Sequence, residues 1–136
     1  MKTYSELRRF STFLDRYRYL QLHGHVGEDT FGFDRWLNQK FYRSSEWKAI
    51  RQEVILRDNA CDLGCEGFEI HSNLLIHHMN PITARDIVQR TDLILNPEYL
   101  ICVSFETHQA IHFGDESLLP IEPESRKPND TCPWRA

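Results

Sequence analysis

The chain has 136 residues, of which 40% are hydrophobic and sixteen are aromatic, and it carries a formal charge of −4. That is enough apolar material for one core, which excludes a disordered polar polymer. No apolar run is long enough to span a bilayer, and the start MKTYSELRR has charges where a signal peptide needs an apolar stretch, so a soluble cytoplasmic protein without a membrane partner is expected.

In chain order, residues 3–22 place Leu7, Phe10, Leu14 and Tyr17 at three- and four-residue steps, which predicts one amphipathic helix with an Arg-rich outer face, ended by Gly24 and Gly27. Gly27 to Phe41 mixes glycine with aromatics and predicts a packed loop or a short helix. A clearer helix starts after Ser44-Ser45, either of which can cap it, and stacks Trp47, Ile50 and Val54 on one face. Arg43, Lys48, Arg51 and Arg57 are then left for solvent or phosphate.

From Asp58 the stretch RDNACDLGCEGF is turn-rich. Leu74-Leu75-Ile76 suits a buried strand leading into His77-His78, and Met79-Asn80-Pro81 breaks it because proline lacks an N–H. Thr83 can cap a short helix through ARDIVQR, and Asn96-Pro97-Glu98 makes a turn. Tyr99 to Ser104 is β-branched and aromatic enough for a second strand, followed by a helix from Thr107 to Phe113 that stops at Gly114. The tail from Glu116 holds four of the six prolines and is expected to be irregular. The predicted fold class is α+β, with a basic helical extension over 1–57, a core over 58–115 and a Pro-rich tail over 116–136.

Charge follows the same division. Residues 1–57 hold eleven Lys or Arg against seven acids, a net of +4, whereas residues 58–136 hold five against thirteen, a net of −8. Phosphate contacts are made by local patches, so the basic half can face DNA while the other half carries the site; ordinary solvated helix faces are the alternative. Cys61, Cys65, Cys102 and Cys132 lack the paired Cys-x-x-Cys spacing of a zinc knuckle and are expected to be reduced, buried thiols.

The candidate chemistry lies in two histidine clusters. His108 and His112 are one helical turn apart on one face and can converge on one ion. His77 and His78 are neighbours at a strand end and so point in opposite directions, which lets one bind metal while the other faces substrate.

The segment Asp58 to Asp115, above all LLIHHMNPIT followed by NPEYLICVSFETHQAIHFGD, resembles the HNH (ββα-metal) endonucleases, and most closely the small HNH proteins encoded by tailed phages and prophages. The flanking VGEDTFGFDRWLNQKFYRS and RKPNDTCPWR are similar as well, so the resemblance covers about residues 10–135. It implies a core of two antiparallel strands and a metal-binding helix, holding one divalent ion (Mg, Mn, Ni or Zn) on His77, His108 and His112. His78 would be the general base, and double-stranded DNA the substrate, bound in part by Lys48, Arg51 and Arg57. Phage terminase, in the cytoplasm of a bacterial host, would be a further partner.

Two positions depart from the family pattern. The asparagine that tethers the loop behind the catalytic histidine would fall at Tyr99, and Asn96, three residues earlier, is expected to take over that tether. Ser104 and Thr107 stand where many relatives carry the second cysteine pair of a structural zinc. Two alternatives remain: a catalytically degenerate HNH fold that binds DNA or a packaging partner, and a small zinc-stabilised interaction domain without nucleic acid.

Overall fold

The computed structural model describes residues 1–22 and 35–120, with the backbone only for residues 35–38. The first predicted helix is two helices, α1 (Tyr4–Leu7) and α2 (Phe13–Leu20). Thr12 causes the break: its hydroxyl accepts the Asp15 N–H at 3.1 Å and starts a new helix, as Thr3 does for Glu6 at 3.2 Å. The buried stripe is then Leu7, Phe13, Tyr17 and Leu20, while Phe10 is 37% exposed. Gly24, Gly27 and the rest of that segment to residue 34 lie outside the described residues, as do residues 121–136 of the tail.

Helix α3 (Arg35–Tyr42) precedes α4 (Ser45–Asp58), whose cap is Ser44, with its hydroxyl accepting the Trp47 N–H at 3.2 Å. The turn-rich segment forms one 3-10 turn at Asp62–Gly64 and an isolated bridge between Cys61 and Glu69. Strand β1 (Leu75–His78) contains both histidines, and α5 (Ala84–Gln89) opens on a reciprocal Thr83–Asp86 capping box. A short α6 (Asp92–Leu95) and a 3-10 turn at Pro97–Tyr99 lead into β2 (Leu100–Val103). Helix α7 (Phe105–Phe113) starts two residues earlier than predicted because Ser104 caps it through the Thr107 N–H, and Gly114 ends it in the left-handed conformation at φ 65°. No described helix is long and apolar enough to cross a membrane.

The described architecture is α+β, with β1 and β2 forming a two-stranded antiparallel sheet in which Leu75 faces Val103, Ile76 faces Cys102, His77 faces Ile101 and His78 faces Leu100. Helices cover both faces, so β2 is buried along its whole length. Its side chains alternate between two clusters. Ile101 and Val103 pack with Leu7, Phe13, Tyr17 and the α7 residues Ala110 and Ile111, whereas Leu100 and Cys102 pack with Phe41, Trp47, Val54, Ile87 and Ile94. Since each β1 residue shares a face with its β2 partner, His77 lies on the α7 side and His78 on the α4 side.

A sheet of two strands leaves one edge of β2 without a strand partner, and buried backbone groups left unpaired there are costly. Three side chains close that edge. Arg57 donates to the Leu100 carbonyl at 2.7 Å, Asp58 accepts the Cys102 N–H at 3.0 Å, and Asp62 accepts the Ser104 N–H at 3.1 Å. Arg57 also pairs with Asp58 at 2.8 Å, donates to the Pro97 carbonyl at 2.7 Å and stacks over the Tyr4 ring at 3.7 Å.

Candidate metal centre

His77 sits on the α7 face of β1 and is 3% exposed. Helix α7 presents His108 and His112 to it from successive turns, with ring centroids 5.4 and 5.5 Å from that of His77. The Nε2 atoms of His108 and His112 are 3.1 Å apart, and one ligand nitrogen from each of the three rings lies within 4.8 Å of the others. The sheet register and the helical period together produce this convergence: His77 opposes Ile101 on the face that α7 covers, and a four-residue step on α7 keeps both rings on that side.

Burial keeps all three imidazoles neutral. It pushes the pKa of His77 well below the usual 6.5, with further lowering by the neighbouring imidazoles. Burial first and His112 second bring His108 down to about 4, and burial lowers His112 as well. No carboxylate figures among the causes, so these rings are not held as cations in ion pairs. Neutral imidazoles carry the lone pairs that a divalent cation needs. Nitrogens bound to one ion at roughly 2.1 Å in tetrahedral geometry lie about 3.4 Å apart, so a spread of up to 4.8 Å closes on an ion by side-chain movements of about an ångström. The donor set fits zinc, nickel or manganese directly, and magnesium with added oxygen ligands.

His78 occupies the opposite face. Its ring stacks on Trp47 with centroids 5.5 Å apart and planes 21° apart, and Tyr42 stands at 6.3 Å. Burial lowers its pKa to about 4, opposed by a hydrogen bond to the Ile94 backbone. Its Nε2 is buried with no hydrogen-bond partner. Such an orphan costs about 1–3 kcal/mol. A cavity of about 670 Å³ at the end of β1 is lined by all four histidines together with Trp47, Lys48 and Arg51.

Asn96 does not reach the loop after His78 through any observed hydrogen bond; its Oδ1 accepts the Glu98 N–H at 3.0 Å and shapes the turn before β2. The residue that ties this loop is Asn80, which sequence reasoning missed. Its amide donates to the Lys2 carbonyl at 2.9 Å and accepts the Lys2 N–H at 2.8 Å, while the Met79 N–H donates to the Tyr99 carbonyl at 3.0 Å. An asparagine beside a proline reads as a turn residue, and only the return of the N-terminus beneath it reveals the tether.

Arg57, expected to face DNA, lies over the open edge of β2 and donates to Asp58, Pro97 and Leu100. Lys48 and Arg51 line the cavity and form no ion pair among the described residues. Cys61, Cys65 and Cys102 are buried free thiols, and Cys132 lies outside the described residues. Ser104 and Thr107 donate their hydroxyls to Asp62 at 2.8 and 2.6 Å.

Comparisons of the chain with protein-family models, with curated proteins and with solved structures give no match.

Proposed function

We propose that the chain is a divalent-metal-dependent DNA endonuclease with an HNH (ββα-metal) site formed by β1, β2 and α7. The observation that carries this reading is the convergence of His77, His108 and His112 within 4.8 Å beside a cavity that His78 also lines. A structural metal site has no need of a fourth imidazole lining the same cavity. Phosphodiester hydrolysis does need one, because a water must lose its proton as it attacks phosphorus.

Placement supports the following roles. His77, His108 and His112 would hold the ion, which would supply Lewis-acid stabilisation of charge on the phosphate. His78, neutral at cellular pH, would take the proton of the attacking water at Nε2, which is buried here and would have to open to the cavity as substrate binds. Asn80 keeps the strand end that carries His78 in register with the N-terminus. Lys48 and Arg51 receive the flanking phosphates. Cleavage leaves 5′-phosphate and 3′-hydroxyl ends, and the resemblance to phage proteins extends the proposal to a role beside terminase.

The second reading, a degenerate HNH module that binds DNA or a packaging partner without cutting, is favoured by Tyr99 at the family's asparagine position. Nicking of supercoiled plasmid with Mg²⁺, Mn²⁺ or Ni²⁺, set against EDTA, separates the two. Wild type is expected to nick with at least one of these ions. His78→Ala is expected to lose about 10²- to 10⁴-fold in rate while binding metal within a few fold of wild type. Absence of cleavage with every ion, at metal concentrations shown to bind, overturns the nuclease reading.

A further inference from the structure

We propose that the cavity beside the imidazole triad takes the base of one unpaired nucleotide, so that the site acts on single-stranded or unstacked DNA in preference to intact duplex. This deepens the nuclease reading and rests on it for the cutting step, but the binding it describes is measurable without metal. A site that met only the phosphates of a rigid duplex would need charge and hydrogen-bond donors. Here most of the wall next to the histidines is apolar or aromatic, with Tyr42, Leu74, Ile76, Met79 and Pro81 among the lining residues. The volume of about 670 Å³ lies within the range of cavities that enclose a whole small molecule.

Tyr42 carries the base contact. Its ring packs edge-on against Trp47 at 5.1 Å and 76°, is 38% exposed, and sits in surroundings apolar enough to push its hydroxyl pKa up to about 12. An accessible aromatic ring fixed against a buried one is a platform on which any base can stack, at a gain of about 1–3 kcal/mol per base. Lys48 and Arg51, three residues apart on α4 and without ion pairs among the described residues, lie on the same cavity. Cations, an aromatic platform and the phosphate-directed imidazoles thus line one cavity, the complement of one nucleotide with its two flanking phosphates. A paired base cannot offer its face to this wall unless it is first pulled from the stack, which costs a few kcal/mol and disfavours the duplex.

The test uses the full chain in EDTA, titrating a short fluorescein-labelled oligothymidylate and the same strand annealed to oligoadenylate, read by fluorescence anisotropy. Single strand is expected to bind about tenfold tighter than duplex. Tyr42→Ala and the cavity-filling Leu74→Trp are each expected to weaken single-strand binding about tenfold with little change in duplex binding, and Tyr42→Phe, which keeps the ring, is expected to bind as wild type. Melting curves select variants that remain folded, and the two independent substitutions keep the test decisive if one does not. Equal affinity for the two forms, or single-strand binding unchanged in both Tyr42→Ala and Leu74→Trp, overturns the proposal. Preferential single-strand binding without cleavage in any divalent ion removes the nuclease reading and leaves the base site standing; cleavage of duplex and single strand with equal affinity does the reverse.

Discussion

His77, His78 and His108 share one property with a direct thermodynamic consequence: burial, reinforced by neighbouring imidazoles, holds their pKa values below the ordinary 6.5, at about 4 for His78 and His108. In the unfolded chain these rings take up protons near pH 6.5; in the folded protein they resist until far lower pH. The unfolded state therefore binds more protons across this window, and stability must fall as pH drops from about 6.5 towards 4, while changing little from this source above 6.5. Urea midpoints measured in EDTA across that range are expected to show the slope, and His108→Gln is expected to flatten it. A wild-type midpoint independent of pH between 6.5 and 4 would mean that the rings are not buried as described. Asn80 gives a second prediction at this scale. Asn80→Ala removes both bonds to Lys2 and frees the segment after His78, and a displacement of about 1 Å in a general base can cost roughly a hundredfold in rate. A loss of at least about tenfold in nicking is expected for Asn80→Ala, against less than about threefold for Asn96→Ala, whose side chain caps a turn. Equal losses in the two variants would return the tether to Asn96.

Among elements, α4 closes the edge of β2 at one end and, in the proposal, meets phosphate at the other, and substitutions separate the two. At its C-terminal end Arg57 and Asp58 close the free edge of β2, with the Asp58 side chain fully buried. Removing one member of a buried ion pair costs about 3–5 kcal/mol, so Asp58→Ala and Arg57→Ala are expected to lower the melting temperature sharply. The Lys48→Ala/Arg51→Ala double variant is expected to leave melting nearly unchanged and to reduce the salt dependence of DNA binding by about one to two phosphate contacts. A reduced salt slope for a folded Arg57→Ala protein would put that guanidinium back on DNA. These elements also show what the sequence makes legible. The β1 and β2 strands and α7 announce themselves through Leu74-Leu75-Ile76, Tyr99 to Ser104 and the Gly114 stop, and the opposed directions of His77 and His78 follow from strand geometry alone. The break between α1 and α2 is hidden because Leu7, Phe10, Leu14 and Tyr17 keep a helical period straight through it, and only the Thr12 cap, a local signal, marks the new start. Arg57 reads as a solvent-facing cation because sequence periodicity cannot show that a short sheet has an open edge to be filled. Asn80 is hidden for a related reason, since its partner Lys2 is 78 positions away.

For the molecule as a whole, a two-stranded sheet is too small to hold a site by itself, and here it works as a partition between two apolar clusters. One cluster brings α7 against β1 and sets the imidazole triad; the other brings α4 against the opposite face and sets His78 on Trp47. Both open on a single cavity at the strand end, so the neighbours His77 and His78 bring rings from the two faces of the sheet to it. The account stands on the triad as a site for one divalent ion. An ion that binds only the folded state stabilises it by mass action, and ligand loss removes both effects together. Calorimetric titration of the EDTA-stripped and desalted chain with Zn²⁺, Ni²⁺ and Mn²⁺ tests this most directly. One site per chain is expected in wild type and His78→Ala, weakened by at least about 10²-fold in His77→Ala and His108→Ala, whereas wild-type protein that takes up none of these ions, or His77→Ala and His108→Ala proteins that bind as wild type does, would contradict it.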